Sequence, residues 1–287
     1  MENRLKKGGV FSLLGESVTA LLNNPSVATP FLTIIFIELL LVEILYFSTR
    51  FPLVHFFGPI IQKLWGAVYL HYPNNLLILS SILPYAQIAI FIVIGNFFIS
   101  MSAAALGLIE TKQSDSLSAG RIALSRYFHV LVAAFLLWGI SWLFLSGYRL
   151  VLARALKIHS TTGIFFVIKA ATVYGAPYFN LFLGCLATSL LAFLIPALVI
   201  DKKNLFRAIG CNFILVWKHF WTVLLIVLIP TILYIPVLAF RANINDVANM
   251  TFQGIRVWAI VAGYIFMGVI DAVVYTALTK FFLSTKE

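Results

Sequence analysis

Charge is scarce in this sequence. Of 287 residues, ten are acidic and twenty basic, so charged side chains make up 10% against a hydrophobic share of 62%. A soluble domain carries roughly 25% charged residues. No soluble fold of this length could bury so much apolar side chain, so part of the solvent must be lipid. Cysteine is nearly absent. Cys185 lies in an apolar run, Cys211 stands apart from it, and no CxxC pair exists, which argues against a disulfide framework or a zinc site. Catalytic signatures are missing as well: no HExxH, GxSxG or P-loop pattern occurs, and His55, His71, His129, His159 and His219 are scattered. An intramembrane protease would need a Ser–His pair or two aspartates in facing spans, and Asp271 is the only aspartate inside a long apolar run. The expectation is a non-enzymatic protein without metal or cofactor. The net charge of +10 is not backed by a basic patch interleaved with aromatics, so nucleic acid is not an expected partner.

Long apolar runs, by contrast, are abundant. A spanning helix needs about 20 mostly apolar residues, and six runs qualify: about 28–48, 80–108, 129–151, 177–200, 220–240 and 256–282. They are continuous, not alternating, which favours helices over a barrel. The first reads as a retained span and not a cleaved signal, because residues 1–24 run as an amphipathic segment interrupted by Glu16 and Asn23. Pro230 and Pro236 should kink the fifth run or end it early. Basic residues set the orientation. Arg4, Lys6, Lys7, Lys112, Arg121, Arg126, Lys202, Lys203, Arg207, Lys218, Lys280 and Lys286 fall on one side, twelve in all. Arg50, Lys63, Arg149, Arg154, Lys157, Lys169, Arg241 and Arg256 fall on the other, eight in all. The positive-inside rule then places both termini in the cytoplasm, with the chain in the plasma membrane.

A threefold pattern runs along the chain. Before the first span, Val10, Leu14, Val18, Leu21 and Leu22 share one helical face, with Ser12, Glu16, Thr19 and Asn23 on the other. Before the fifth, Phe206, Ile209, Phe213, Val216, Trp217 and Phe220 follow the same spacing, opposite Asn204, Arg207, Cys211 and Lys218. A weaker version before the third sets Leu117, Ile122, Ala123 and Tyr127 against Ser118, Arg121 and Ser125. Asn24, Arg126 and Lys218 hold equivalent places just before the odd-numbered spans. The predicted fold is therefore an all-α membrane bundle in a single domain. Its six transmembrane helices form three hairpins, each preceded by a cytoplasmic amphipathic helix, with pseudo-repeats of about 10–109, 113–200 and 204–283. Residues 51–79 and 161–175 are too apolar for free loops and are expected as short helices lying on the outer leaflet or, less favoured, re-entering it.

Charged residues within spans are the candidate chemistry. Glu38 and Glu43 lie in the first span and Asp271 in the sixth. A charge at the bilayer centre costs roughly 3 kcal/mol on insertion scales, so each must find a partner, water or a proton. Arg149 could pair with Glu43. Glu38 and Glu43 are about 140° apart around a helix and do not form an obvious shared site. Gln87, Asn96 and Asn180 are candidates for bonds between helices, and the small residues Ser102, Ala103, Ala104, Ala105 and Gly107 suit close helix packing. His129 and His219 read as interfacial anchors.

Phe11-Ser12-Leu13-Leu14-Gly15, Leu21-Leu22-Asn23-Asn24-Pro25, Pro196-Ala197-Leu198-Val199-Ile200-Asp201, Leu205-Phe206-Arg207-Ala208 and Trp217-Lys218-His219-Phe220-Trp221 together resemble a broad bacterial group of six-helix membrane proteins. That group includes the membrane domain fused to some glycerophosphodiester phosphodiesterases. In the fused enzymes, cleavage belongs to a separate soluble domain, so the resemblance implies a scaffold or partner-docking component, not a hydrolase. Arg121, Arg126, Arg207 and Lys218 would then face anionic lipid or a protein partner on the cytoplasmic side. The alternative expectation is the permease subunit of a multi-component transporter driven by a separate ATPase, with the acids in the spans as its support.

Overall fold

Apolar backbone that cannot bond to water must bond to itself, and the six apolar runs do so as helices. In the computed structural model of the protein, residues 2–111, 116–158 and 162–285 are described. Lys112, His159 and Lys286 fall outside them, as do the side chains of Arg4, Lys6, Lys7 and Leu117. Every regular element among the described residues is helical. Six are long and apolar enough to cross a membrane: Pro25–Phe47, Asn75–Glu110, Tyr127–Leu156, Ala176–Val199, Leu205–Ile232 and Ile255–Ser284.

The first span is helix α2 (Pro25–Phe47), preceded by α1 (Glu2–Asn23). The second consists of α4 (Asn75–Ile90) and α5 (Asn96–Glu110) joined by a π turn at Phe91–Gly95, with α3 (Val54–Leu64) before it. Helix α6 (Ser116–Ser125) leads into the third span, α7 (Tyr127–Leu156), and α8 (Gly163–Tyr174) leads into the fourth. The fourth is broken into α9 (Ala176–Leu190) and α10 (Leu194–Val199). The fifth is α11 (Leu205–Ile232), followed by short α12 (Ile235–Ala242) and α13 (Ile244–Met250), and the sixth is α14 (Ile255–Ser284).

Two spans differ from the sequence expectation for physical reasons. The fourth, expected as one helix over 177–200, breaks at residues 191–193 because Pro196 has no N–H and its ring crowds the carbonyl four residues back. The fifth, expected over 220–240, starts its helix at Leu205 and ends it at Ile232, two residues after Pro230, so the expected range is shared between α11 and α12. Within α11 the backbone leaves helical geometry at His219 (φ −125°, ψ 25°). The chain leaves it likewise at Asn24 (φ −125°, ψ 92°) before α2 and at Arg126 (φ −108°, ψ 4°) before α7.

The spans close into a ring. Helix α2 packs on α4, α5 and α14; α7 on α5 and α9; α11 on α9 and α14. Helix α5 lies at the centre of the end that carries the chain termini, touching α2, α6, α7, α10 and α14. Its small residues make this possible: Ser100 and residues 102–107 are all buried. Ser102 donates to the Val27 carbonyl across the interface at 2.9 Å, and a methyl group on Gly107 would press on Ile200 at 3.2 Å. Beside it, every residue of α10 is buried, with Phe193 stacked on Phe281 and Phe282.

The lead-in helices sit on the bundle at the same end, α1 against α14, α6 against α5 and the first half of α11 against α10. The face that each turns to the bundle carries small side chains. In α11, Ala208, Asn212 and Val216 are buried, while Phe206 and Trp217 are 86% and 90% exposed. In α1, Leu13, Leu14, Ser17 and Ala20 point inward, while Phe11, Val18 and Leu22 point out. In α6, Ala119 and Ala123 are buried and Leu124 is exposed. Small side chains let one helix backbone approach another; bulky ones are turned away from the protein. Lys280 of α14 fastens α1 by donating to the Glu16 carbonyl at 3.1 Å, with the Glu16 carboxylate 3.9 Å away. Lys280→Met is expected to loosen α1 alone, seen as faster amide exchange over residues 10–22 with unchanged exchange in α5.

At the far end, 54–64 and 163–174 are helical, as the sequence suggested for those connections. Helix α8 buries no residue. It rests on α7 and α9, where Tyr148 donates to the Thr172 carbonyl at 2.6 Å.

Candidate functional site

Where α2, α4, α7, α9, α11 and α14 meet, they do not fill the space between them. A cavity of about 390 Å³ remains, and all six spans contribute to its wall. Most of the wall is apolar, formed by residues such as Phe31, Ile34, Phe91, Leu137 and Met267. Set into it are two carboxyl groups, Glu38 from α2 and Asp271 from α14, the amides of Gln87 and Asn180, and the hydroxyls of Ser141, Thr188, Thr231 and Tyr275. Cys185 also lines it, next to Thr231. Among the described residues, no lysine or arginine is on the wall.

The carboxyls are placed by a tight helix crossing. A methyl group on Gly268 would overlap the Ile35 side chain, so only glycine lets α14 come this close to α2. The two helices run antiparallel. Glu38 therefore lies one turn beyond Ile35 toward the far end, and Asp271 one turn beyond Gly268 toward the termini. Helix rise separates them by roughly 9 Å along the bundle. Around them the polar groups form a ladder along α14. At the far end Arg241 donates to the Tyr234 hydroxyl at 2.9 Å and lies against Gly263. Next comes Tyr264, whose hydroxyl is 3.5 Å from the Gln87 side-chain oxygen, with Gln87 beside Glu38. Asp271 and Tyr275 follow, on the same face because seven and eleven residues are close to whole turns from Tyr264.

Below the ladder lies a second, much smaller pocket of about 20 Å³, between the π turn of the second span and the break in the fourth. Thr188 and Tyr275 line both spaces. The Phe91 carbonyl accepts twice from Asn96, from its backbone N–H and, at 2.7 Å, from its side-chain amide. The Asn96 side-chain oxygen is buried with no hydrogen-bond partner among the described residues. π turns are frequent at functional sites because they re-aim a helix face.

The break in the fourth span is held by one residue. Asn212, fully buried on α11, accepts from the Phe193 N–H at 2.9 Å and donates to the Leu190 carbonyl at 2.8 Å. It thereby satisfies two of the backbone groups that the break releases.

The residues singled out in the sequence divide into three groups. Glu38 and Asp271 come together in the cavity, with Gln87 and Asn180. Glu43 and Arg149 do not: both are exposed, and no ion pair joins them among the described residues, the second span lying between α2 and α7. Arg121, Arg207 and Lys218 are exposed and Arg126 half-buried, all at the lead-in helices. His219 sits at the α11 break with its ring edge-on to Phe281. Sequence reasoning missed Asn212, Ser141, Thr188, Thr231 and Tyr275. For Tyr275 a signal existed, its four-residue spacing from Asp271. Hydroxyl side chains are too common in membrane helices to stand out. No known protein family, curated protein or solved structure matches the chain.

Proposed function

We propose that the protein is a membrane permease subunit whose central cavity binds a small solute bearing a positive charge or an amine. One observation carries the reading: two carboxyl groups from different spans face a cavity walled by all six spans, and among the described residues no basic side chain shares that wall. Intramembrane acids are costly and persist where they serve a pathway or a ligand. The wall's amides and hydroxyls supply further polar contacts, and its apolar majority excludes bulk water and strengthens the electrostatic attraction. Energy for net transport would come from a separate ATPase acting at the termini end, which the positive-inside bias assigns to the cytoplasm. A panel of size-matched amines and carboxylic acids tests the reading by thermal unfolding. Amines are expected to raise Tm, and the double variant Glu38→Gln with Asp271→Asn to weaken their binding tenfold or more. Equal shifts with carboxylic acids, or shifts unchanged in the double variant, would sink it.

A second reading rests on a different observation, the outward aromatics of the lead-in helices. Phe206, Trp217, Phe11 and Leu22 project away from the bundle beside the exposed Arg207 and Lys218. Such a face suits insertion among anionic lipid head groups or docking of a protein partner, the scaffold role that the resemblance implies. Under this reading the chain consists of three hairpins with cytoplasmic amphipathic helices. The backbone breaks at Asn24, Arg126 and His219, and the seating of each lead-in helix on an even-numbered span, support that arrangement. Arg207→Glu combined with Lys218→Glu is expected to reduce recovery of anionic lipid and of co-purifying partners. Unchanged recovery of both removes the basis for docking.

A further inference from the structure

Between the second and third spans the wall of the cavity is not closed by helix packing along its whole length. The second and third spans meet at the π turn, where Tyr127 donates to the Val93 carbonyl at 2.9 Å. Toward the far end they part. Helix α4 packs on α2, and their residues Val42, Leu45, Leu79 and Leu83 form a separate apolar cluster with Tyr264 of α14. Helix α7 instead packs on α8 and α9, and α4 and α7 make no comparable contact. Ile88 of α4 and Trp138 of α7 mark the gap: both line the cavity, and both keep a large accessible share, 38% and 40%. The flanking side chains Tyr85 and Trp142 are large and exposed. An opening framed by such side chains, midway along helices of spanning length, faces acyl chains and not water.

Resting on the cavity reading above, we propose that the ligand is an amphiphile, an ammonium group on an alkyl chain, which enters between the second and third spans. The ammonium head sits between Glu38 and Asp271, where it meets two carboxyls and no competing base. The chain runs out past Phe91 and Leu137 through the gap at Ile88 and Trp138, so its apolar surface stays among apolar side chains and lipid. A water-soluble amine would use only half of this wall. The same chemistry exists in a free long-chain amine and in the head group of an amine-bearing lipid.

Trp138 provides the readout. With the protein in nanodiscs of zwitterionic choline lipid, bromine on the tenth carbon of dodecylamine, or on the acyl chain of a phosphatidylethanolamine, quenches tryptophan at short range. The difference between the parent protein and Trp138→Phe isolates the Trp138 signal. Saturable quenching by either probe is expected, weakened at least tenfold in Glu38→Gln with Asp271→Asn, and absent with brominated dodecyl sulfonate. The arm that quenches identifies the source, free amine or lipid. Ile88→Phe, with its Tm retained, is expected to slow the onset of quenching at least fivefold by narrowing the gap, while binding of butylamine stays as fast. If butylamine binds as tightly as the long-chain amines, or if Ile88→Phe leaves the rate unchanged, the lateral amphiphile proposal is overturned and the charge reading of the cavity stands. If no amine of any length binds, both fall.

Discussion

Asn212→Leu is expected to lower the free energy of unfolding by about 2–6 kcal/mol, the cost of leaving two buried backbone groups unpaired at roughly 1–3 kcal/mol each. The Phe193 N–H and the Leu190 carbonyl both rely on this one side chain. Neither can turn to water, because the break lies beneath the cavity among Leu194, Leu198 and Phe281, all buried. Leucine is close to asparagine in size, so packing changes little and the lost bonds dominate. Denaturation in mixed micelles with rising sodium dodecyl sulfate measures the effect. A loss below 0.5 kcal/mol would mean that the α9–α10 break is not held as described. Asn204→Leu, exposed at the start of the same helix, is the control and should be near neutral.

Gly268→Ala is expected to cost about 1–3 kcal/mol through overpacking and to displace α14 from α2. The added methyl overlaps Ile35, so a compensating Ile35→Ala should recover part of the loss, and the double variant should be more stable than the sum of the singles implies. Because Glu38 and Asp271 flank this crossing, ligand binding should weaken in Gly268→Ala and return with the compensating change. Additive losses in the double variant would remove the crossing as the device that sets the carboxyl spacing.

Much of the architecture was legible because membrane helices are specified by length and hydropathy, quantities that a sequence displays directly. The breaks at Asn24 and Arg126 fall where the basic and amide residues marked span boundaries, and the third falls at His219, next to Lys218. The seating of the lead-in helices was less legible. The apolar spacing marked each as amphipathic, with Phe206 and Trp217 in the stripe, but it did not say which residues pack on the bundle. Small side chains such as Ala208 allow the close interface that is formed, and Phe206 and Trp217 stay exposed. Glu38 and Asp271 were legible for the opposite reason: a charge in an apolar run is conspicuous. Thr231 was not, since its hydroxyl bonds to the Val227 carbonyl of its own helix and leaves no trace of the space it faces. The π turn at Phe91–Gly95 has no hydropathy signature at all, because one extra residue in a turn changes a helix's register and not its composition.

The seating of α1 on α14 has a consequence for assembly order. α1 starts at Glu2, yet the Lys280 that holds it lies near the other end of the chain. During synthesis α1 precedes α14 by all the other spans, and until α14 is made the buried face of Leu13, Leu14, Ser17 and Ala20 has no seat on it. Helix α1 works as a clasp: it fastens the ring of spans only once the sixth of them has been made.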